Sequence, residues 1–230
     1  MKIHYLGTGA AEGIPAPFCH CRICENARTQ KCREMRTRMQ VVIDNRIILD
    51  FGPDSFYHSL YSGLDFAALE ICLITHTHAD HLCPAELLLR KGNKALYDSP
   101  IPPLHVYGSS GVRKQFDIQD NGFITKDGRL IFHTAEPFEP IFFEEYSITP
   151  LPAVHSTDEP LIYLIQKNDC ALLYAHDTDI FAQEVWDWFI SSGIKLDCVS
   201  IDCTEGAKDI NYLGHMNLAR DAEVRNRLLN

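Results

Sequence analysis

The sequence predicts one α/β domain over residues 1–230, and three observations carry that expectation. Short apolar runs suited to strands alternate with segments of helical spacing along the chain. The 230 residues suffice for one sizeable core, and no repeat, low-complexity tract or linker divides them. Apolar residues at 46% and charged residues at 23% sit near the averages of compact proteins, which excludes disordered and fibrous classes.

Residues 2–6 read as a strand running into a Gly-rich turn, followed by a loop that holds Cys19, Cys21 and Cys24. Residues 41–44 and 47–50 read as a hairpin joined through Asn45-Arg46. A helix is expected over 54–61, a buried strand over 69–75, and a helix over 84–90, where straight-chain apolar residues follow Pro84. The alternation continues with a strand at 104–107 and a helix at 110–118, after which 130–174 turns strand-rich. Across 181–190, Phe181, Val185, Trp188 and Phe189 recur at helical spacing ahead of Ser191-Ser192-Gly193, a helix stop. A buried strand at 195–202 and a polar helix at 218–229 follow.

The net charge of −10 argues against broad adhesion to nucleic acid or to an anionic membrane. An anionic substrate must then be held by bound metal or by a few placed side chains. Nine cysteines without an even, regular framework point to reduced thiols and metal ligation rather than disulfides. No apolar run approaches the roughly 20 residues of a membrane span, and the amino terminus lacks the apolar core of a secretory leader, so a cytoplasmic protein is expected. The composition leaves a homodimer open.

Four metal-binding side chains converge in the run His76-Thr77-His78-Ala79-Asp80-His81. Thr75 closes an apolar strand, so His76 and His78, two residues apart, can point to the same side where the chain leaves the sheet. Asp80 and His81 follow at the next helical start. A solvated, His-rich loop is the plain alternative. Strand-to-helix turns are where open α/β folds place reacting groups, which favours the metal reading.

This run resembles the H-x-H-x-D-H signature of the metallo-β-lactamase superfamily. Two later features agree in order: His155, in Ala153-Val154-His155-Ser156, resembles the family's third histidine, and Asp177, in His176-Asp177-Thr178, its metal-bridging carboxylate. The start, Gly7-Thr8-Gly9-Ala10-Ala11-Glu12-Gly13-Ile14-Pro15 with Cys19-His20-Cys21-Arg22-Ile23-Cys24, is similar to the PhnP-like cyclic phosphate phosphodiesterases. The resemblance implies an αββα sandwich of two mixed β-sheets flanked by helices. It also implies a pair of divalent ions (Zn, Mn or Fe) and one structural Zn held by Cys19, Cys21 and Cys24. His215, in Leu213-Gly214-His215-Met216, resembles a family histidine beside the leaving group. PhnP-like proteins add a further strand with one histidine for the second catalytic ion and another for the structural zinc. This chain has no histidine after His215, so other residues, water or a neighbouring chain are expected at those positions, or the last strand is lacking.

The expected activity is hydrolysis of a small phosphodiester, a cyclic phosphate of a sugar or nucleotide among them. One ion is assigned to His76, His78 and His155, the other to Asp80 and His81, with Asp177 bridging and a shared hydroxide attacking phosphorus in line. His215 is the candidate general acid and Asp80 a proton relay. Two rivals remain. A transfer-RNA 3′-processing endonuclease of this fold needs a basic arm, whereas residues 82–154 hold seven Lys or Arg against nine Asp or Glu. A noncatalytic PqqB-like metal-binding protein shares the Gly-rich start and the cysteine loop.

Overall fold

A computed structural model describes residues 1–91, 94–120, 128–209 and 213–229. It is an α/β structure with two mixed β-sheets and accompanying helices, the fold class the sequence predicts. Contacts divide the chain into two compact units, residues 1–134 and 135–230.

The first unit holds a sheet in the order β1 (Ile3–Gly7), β2 (Gln40–Ile43), β3 (Ile47–Leu49), β4 (Ile71–Leu73), β5 (Leu104–Gly108) and β6 (Leu130–Thr134). β2 pairs antiparallel with both β1 and β3, and β3 to β6 are mutually parallel. The hairpin forms, with its turn one residue earlier than expected: Asp44 and Asn45 take positive φ (50° and 58°) and Arg46 N–H donates to Ile43 O at 2.9 Å. That is a two-residue turn with both central residues left-handed, the geometry that matches strand twist and favours Asn and Asp.

Helices α1 (Arg22–Gln30), α2 (Ser55–Tyr61), α3 (Pro84–Leu87) and α4 (Ser110–Asp120) belong to this unit. The expected helix at 84–90 tightens into a 3₁₀ turn over Leu88–Arg90. There the Arg90 guanidinium bonds Phe66 O, Ala67 O and Pro102 O at 3.3, 3.0 and 2.7 Å and satisfies loop carbonyls at one point. Alternate strand residues Val42, Ile48, Cys72, Ile74 and Val106 pack with Leu87, Val112 and Phe116 in one buried core.

His58, buried on α2, bonds Gln40 Oε1 and Thr37 Oγ1, each at 2.7 Å. Burial holds its imidazole below the ordinary value, and the charge of Asp54 opposes this less strongly. The folded chain therefore takes up this proton less readily than the unfolded one. Its stabilising contribution is complete above about pH 6.5 and is lost as pH falls through the depressed folded value. Thermal melts should show the midpoint falling on acidification below about pH 6.5, and a shallower fall in His58→Gln.

The second unit holds a sheet in the order β11 (Cys198–Ile201), β10 (Cys170–Ala175), β9 (Leu161–Lys167), β8 (Tyr146–Pro152) and β7 (Ile141–Phe143). β11 and β10 are parallel and the remaining pairs antiparallel. Leu151, Ile162, Leu164 and Leu173 bury against Val185, Trp186 and Phe189 of α5 (Gln183–Ser192) and Val224 of α6 (Leu218–Leu229). Gly193, at φ 63°, caps α5 as the sequence predicts. Among the described residues no helix is long and apolar enough to cross a membrane.

Candidate metal centre

In the first unit the chain leaves β4 into the loop carrying His76, His78, Asp80 and His81, and the structure brings these four together. His76 Nε2 lies 3.1 Å from His78 Nδ1, the His76 and His81 rings are 4.3 Å apart, and His81 Nε2 is 3.2 Å from Asp80 Oδ2. Beneath them sits Asp50, fully buried at the end of β3. Thr75 N–H and Thr75 Oγ1–H both donate to Asp50 Oδ1, at 2.8 and 2.9 Å, and His81 Nδ1–H donates to Asp50 Oδ2 at 2.8 Å. With its proton committed to Asp50, the Thr75 hydroxyl accepts from His76 Nδ1–H at 2.9 Å. One buried carboxylate thus fixes the tautomers of both imidazoles, placing their lone pairs at Nε2.

In the second unit β8 leads to His155, β10 to Asp177 and β11 to Asp202. His155 Nδ1–H donates to Gly214 O at 2.8 Å, so its lone pair also lies at Nε2. The His155 and His215 rings meet edge to face at 4.9 Å, and Asp177, Asp202 and His215 form a cluster of potential ligands. His215 Nδ1–H donates to Asp202 Oδ2 at 2.7 Å and lies 3.4 Å from Asp177 Oδ1. Burial disfavours the His215 cation, but the bond to Asp202 and the charges of Asp202, Asp177 and Glu205 outweigh it and raise its pKa.

Cys19, Cys21 and Cys24 stand within ligand distance of one another. The expected loop is partly helical: Cys21 is the N-cap of α1 and Cys24 lies in its first turn. The helix forms because Arg28, one turn on, bonds Cys19 O and Ala16 O at 2.6 and 2.8 Å and folds the preceding loop back on it. The Cys24 N–H, then the Cys19 and Cys24 thiols, lower Cys21 to about 7. Cys24 accepts from Ala16 N–H, which favours its thiolate, yet burial and its two thiol neighbours raise it overall. A helix start with a low-pKa thiol suits thiolate ligation.

These donors fit divalent metal. At the usual Zn–N distance, two imidazole ligands of one tetrahedral ion are about 3.3 Å apart, close to the His76–His78 spacing. His76, His81 and His155 each have Nδ1 tied to an oxygen, the arrangement that orients metal-binding histidines.

Residues 45–228 match the family described as the beta-lactamase superfamily domain. The chain belongs to that superfamily. Its members are mostly metal-dependent hydrolases, and the fold binds divalent metals such as zinc. An octanoyltransferase of Porphyromonas gingivalis is 36% identical over 86 residues, covering 36% of this chain and 16% of that protein. A ribonuclease Z of Shouchella clausii is 30% identical over 112 residues, covering 49% of this chain and 31% of that protein. A coenzyme PQQ synthesis protein B of Methylobacterium radiotolerans is 24% identical over 171 residues, covering 66% and 52%. The chain thus spans from about a sixth to about half the length of these curated relatives. Among solved structures, a diphosphatase from the PhnP family superimposes with a TM-score of 0.74 at 18% identity, covering 99% of this chain and 82% of that one, a likeness of fold.

Asp50 and Asp202 are the residues the sequence reading missed. Each ends an apolar strand, and a carboxylate in that position is the signal that could have found them. Asp50→Asn, which puts a donor where His81 and Thr75 need acceptors, is expected to weaken metal affinity about 10–100-fold in a calorimetric titration.

Proposed function

We propose that the chain is a metal-dependent phosphodiesterase whose centre draws on His76, His78, Asp80 and His81 from the first unit and His155 and Asp177 from the second. The observation that carries this is the tautomer pattern: the backing atoms on Asp50, Thr75 and Gly214 put lone pairs on Nε2 of three histidines. His76, His78 and His155 would hold one ion, Asp80 and His81 the other, and Asp177 would reach both. Divalent ions there lower the proton affinity of water and neutralise the charge of a phosphodiester.

The chain's own residues supply the proton handling. Asp80 takes a proton from the attacking water. His215 keeps Nδ1–H on Asp202 and delivers the proton at Nε2 to the departing alkoxide, a role suited to an imidazole whose pKa neighbouring carboxylates raise. Cys19, Cys21 and Cys24 would hold a structural zinc that pins the loop before α1. The substrate is a small phosphodiester, a cyclic phosphate of a sugar or nucleotide being the size that needs no basic arm, and the protein works in the cytoplasm without membrane or nucleic-acid partners.

Metal analysis of purified protein, paired with hydrolysis of bis(p-nitrophenyl) phosphate, tests this. Turnover should accompany two ions beyond the zinc at the cysteines. One tightly held zinc with no turnover at any added metal would overturn the proposal in favour of a noncatalytic metal-binding protein.

A further inference from the structure

The second unit holds a buried ion pair that the proton handling above does not use. Asp179 is 6% exposed, and both of its carboxylate oxygens accept from Arg220 Nη1, at 2.8 and 2.7 Å. The same nitrogen lies 3.4 Å from His215 O, in the loop that carries the proposed acid. Arg220 is the third residue of α6, and Asn217 Oδ1 caps that helix by accepting the Arg220 N–H at 3.0 Å. A cation in a first turn opposes the helix dipole. Helix stability therefore does not account for an arginine there, and its use lies in what the guanidinium reaches.

Asp179 is a rigid post. Its N–H donates to Val154 O at 2.8 Å, Val154 N–H donates to Thr178 Oγ1 at 2.9 Å, and Thr178 Oγ1–H donates to Asp179 O at 2.9 Å. The turn that holds Asp177 is thereby tied to the residue before His155. The 213–216 loop comes to the same place: Gly214, at φ 109°, lies so near that a Cβ on it would stand 3.0 Å from His155 Nδ1. Within that loop Asp202 holds the His215 ring at Nδ1, and Arg220 meets the backbone at His215 itself. One hydrogen bond fixes one ring atom and lets the imidazole swing about it. A second hold on the backbone sets where Nε2 points, and a misplacement of about 1 Å there costs on the order of a hundredfold in rate.

We infer that Arg220, braced on Asp179, is a positioning residue that fixes the backbone at His215 so that Nε2 faces the departing oxygen, a role that rests on the phosphodiesterase reading. In that step the attacking oxygen bonds to phosphorus, the P–O bond to the leaving group breaks, and the proton on His215 Nε2 passes to the departing oxygen. Arg220 acts through His215 alone. The need for that proton depends on the leaving group: a nitrophenolate departs unaided, whereas an alkoxide requires the acid.

The test compares the metal-loaded full chain and its variants on bis(p-nitrophenyl) phosphate and on 2′,3′-cyclic adenosine monophosphate, which releases an alkoxide. Arg220→Met should lower kcat on the cyclic ester at least about tenfold with KM nearly unchanged, and on the nitrophenyl ester less than about threefold. Arg220→Lys should recover most of the loss, because a single nitrogen makes all of these contacts. Asp179→Asn combined with Arg220→Met leaves no buried charge unpaired, should show the same selective loss, and replaces the single variant if that one does not fold. Equal losses on the two esters, or no loss on the cyclic one, overturn the inference. A parent chain inactive on either ester counts against the phosphodiesterase reading and not against Arg220, which amide exchange then judges. Exchange across residues 213–218 should quicken at least about tenfold in Arg220→Met, while β9 and β10 keep their protection. Unchanged exchange at 213–218 overturns the inference.

Discussion

His78→Ala and Asp177→Ala should each cut phosphodiester turnover by more than about a hundredfold, beyond the 10–100-fold typical of losing a group that merely backs a metal ligand. The two residues contribute to the proposed centre from different units, so parallel losses are what one shared centre predicts. Both are half-buried and lie just beyond strand ends, outside the apolar cores, so truncation opens little cavity. Thermal melts should therefore stay close to the parent while metal content falls. Steady-state kinetics beside metal analysis checks this. Full activity in either variant would remove that residue from the centre.

The second large effect comes from a residue that touches no metal. Gly52 packs where Phe51 N–H donates to His81 O at 2.8 Å and Cys83 N–H donates to Phe51 O at 2.7 Å, so the chain after β3 runs against the metal loop. A methyl group on Gly52 would collide with the Asp80 carbonyl and stand 2.7 Å from its carbon. Backbone meets backbone there, and no rotamer can relieve it. Gly52→Ala should cost about 3 kcal/mol or more of stability, at the upper end of overpacking substitutions. The same displacement moves Asp80 and His81, so metal affinity should fall as well. Denaturant melts and metal titration of this variant check both halves, and a variant that melts like the parent would show that the loop yields easily.

What the sequence made legible was whatever depends on local spacing. The ligand run shows because four donors lie within six residues, the hairpin because two apolar runs flank Asn45-Arg46, one residue from the turn that Asp44 and Asn45 form, and α6 because its bounds coincide with its polar periodicity. What stayed hidden depends on distant partners. Helix α1 has few buried apolar positions, Cys24 and Ala27, and is held largely by Arg28 reaching carbonyls nine and twelve residues back. Asp50 reads as the last residue of a strand; only the return of the chain through Thr75 and His81, 25 and 31 residues on, makes it the anchor of two imidazoles. Asp202 orients His215 across 13 residues for the same reason. Long-range hydrogen bonding to a buried carboxylate has no periodicity to read.

The most direct test is anomalous diffraction at the zinc and manganese edges from crystals of the metal-loaded protein. The account predicts two ions about 3.5–4 Å apart, with His76, His78 and His155 on one, Asp80 and His81 on the other, and Asp177 on both. Anomalous signal confined to Cys19, Cys21 and Cys24, or an ion on His76 and His78 from which His155 and Asp177 are absent, would contradict it.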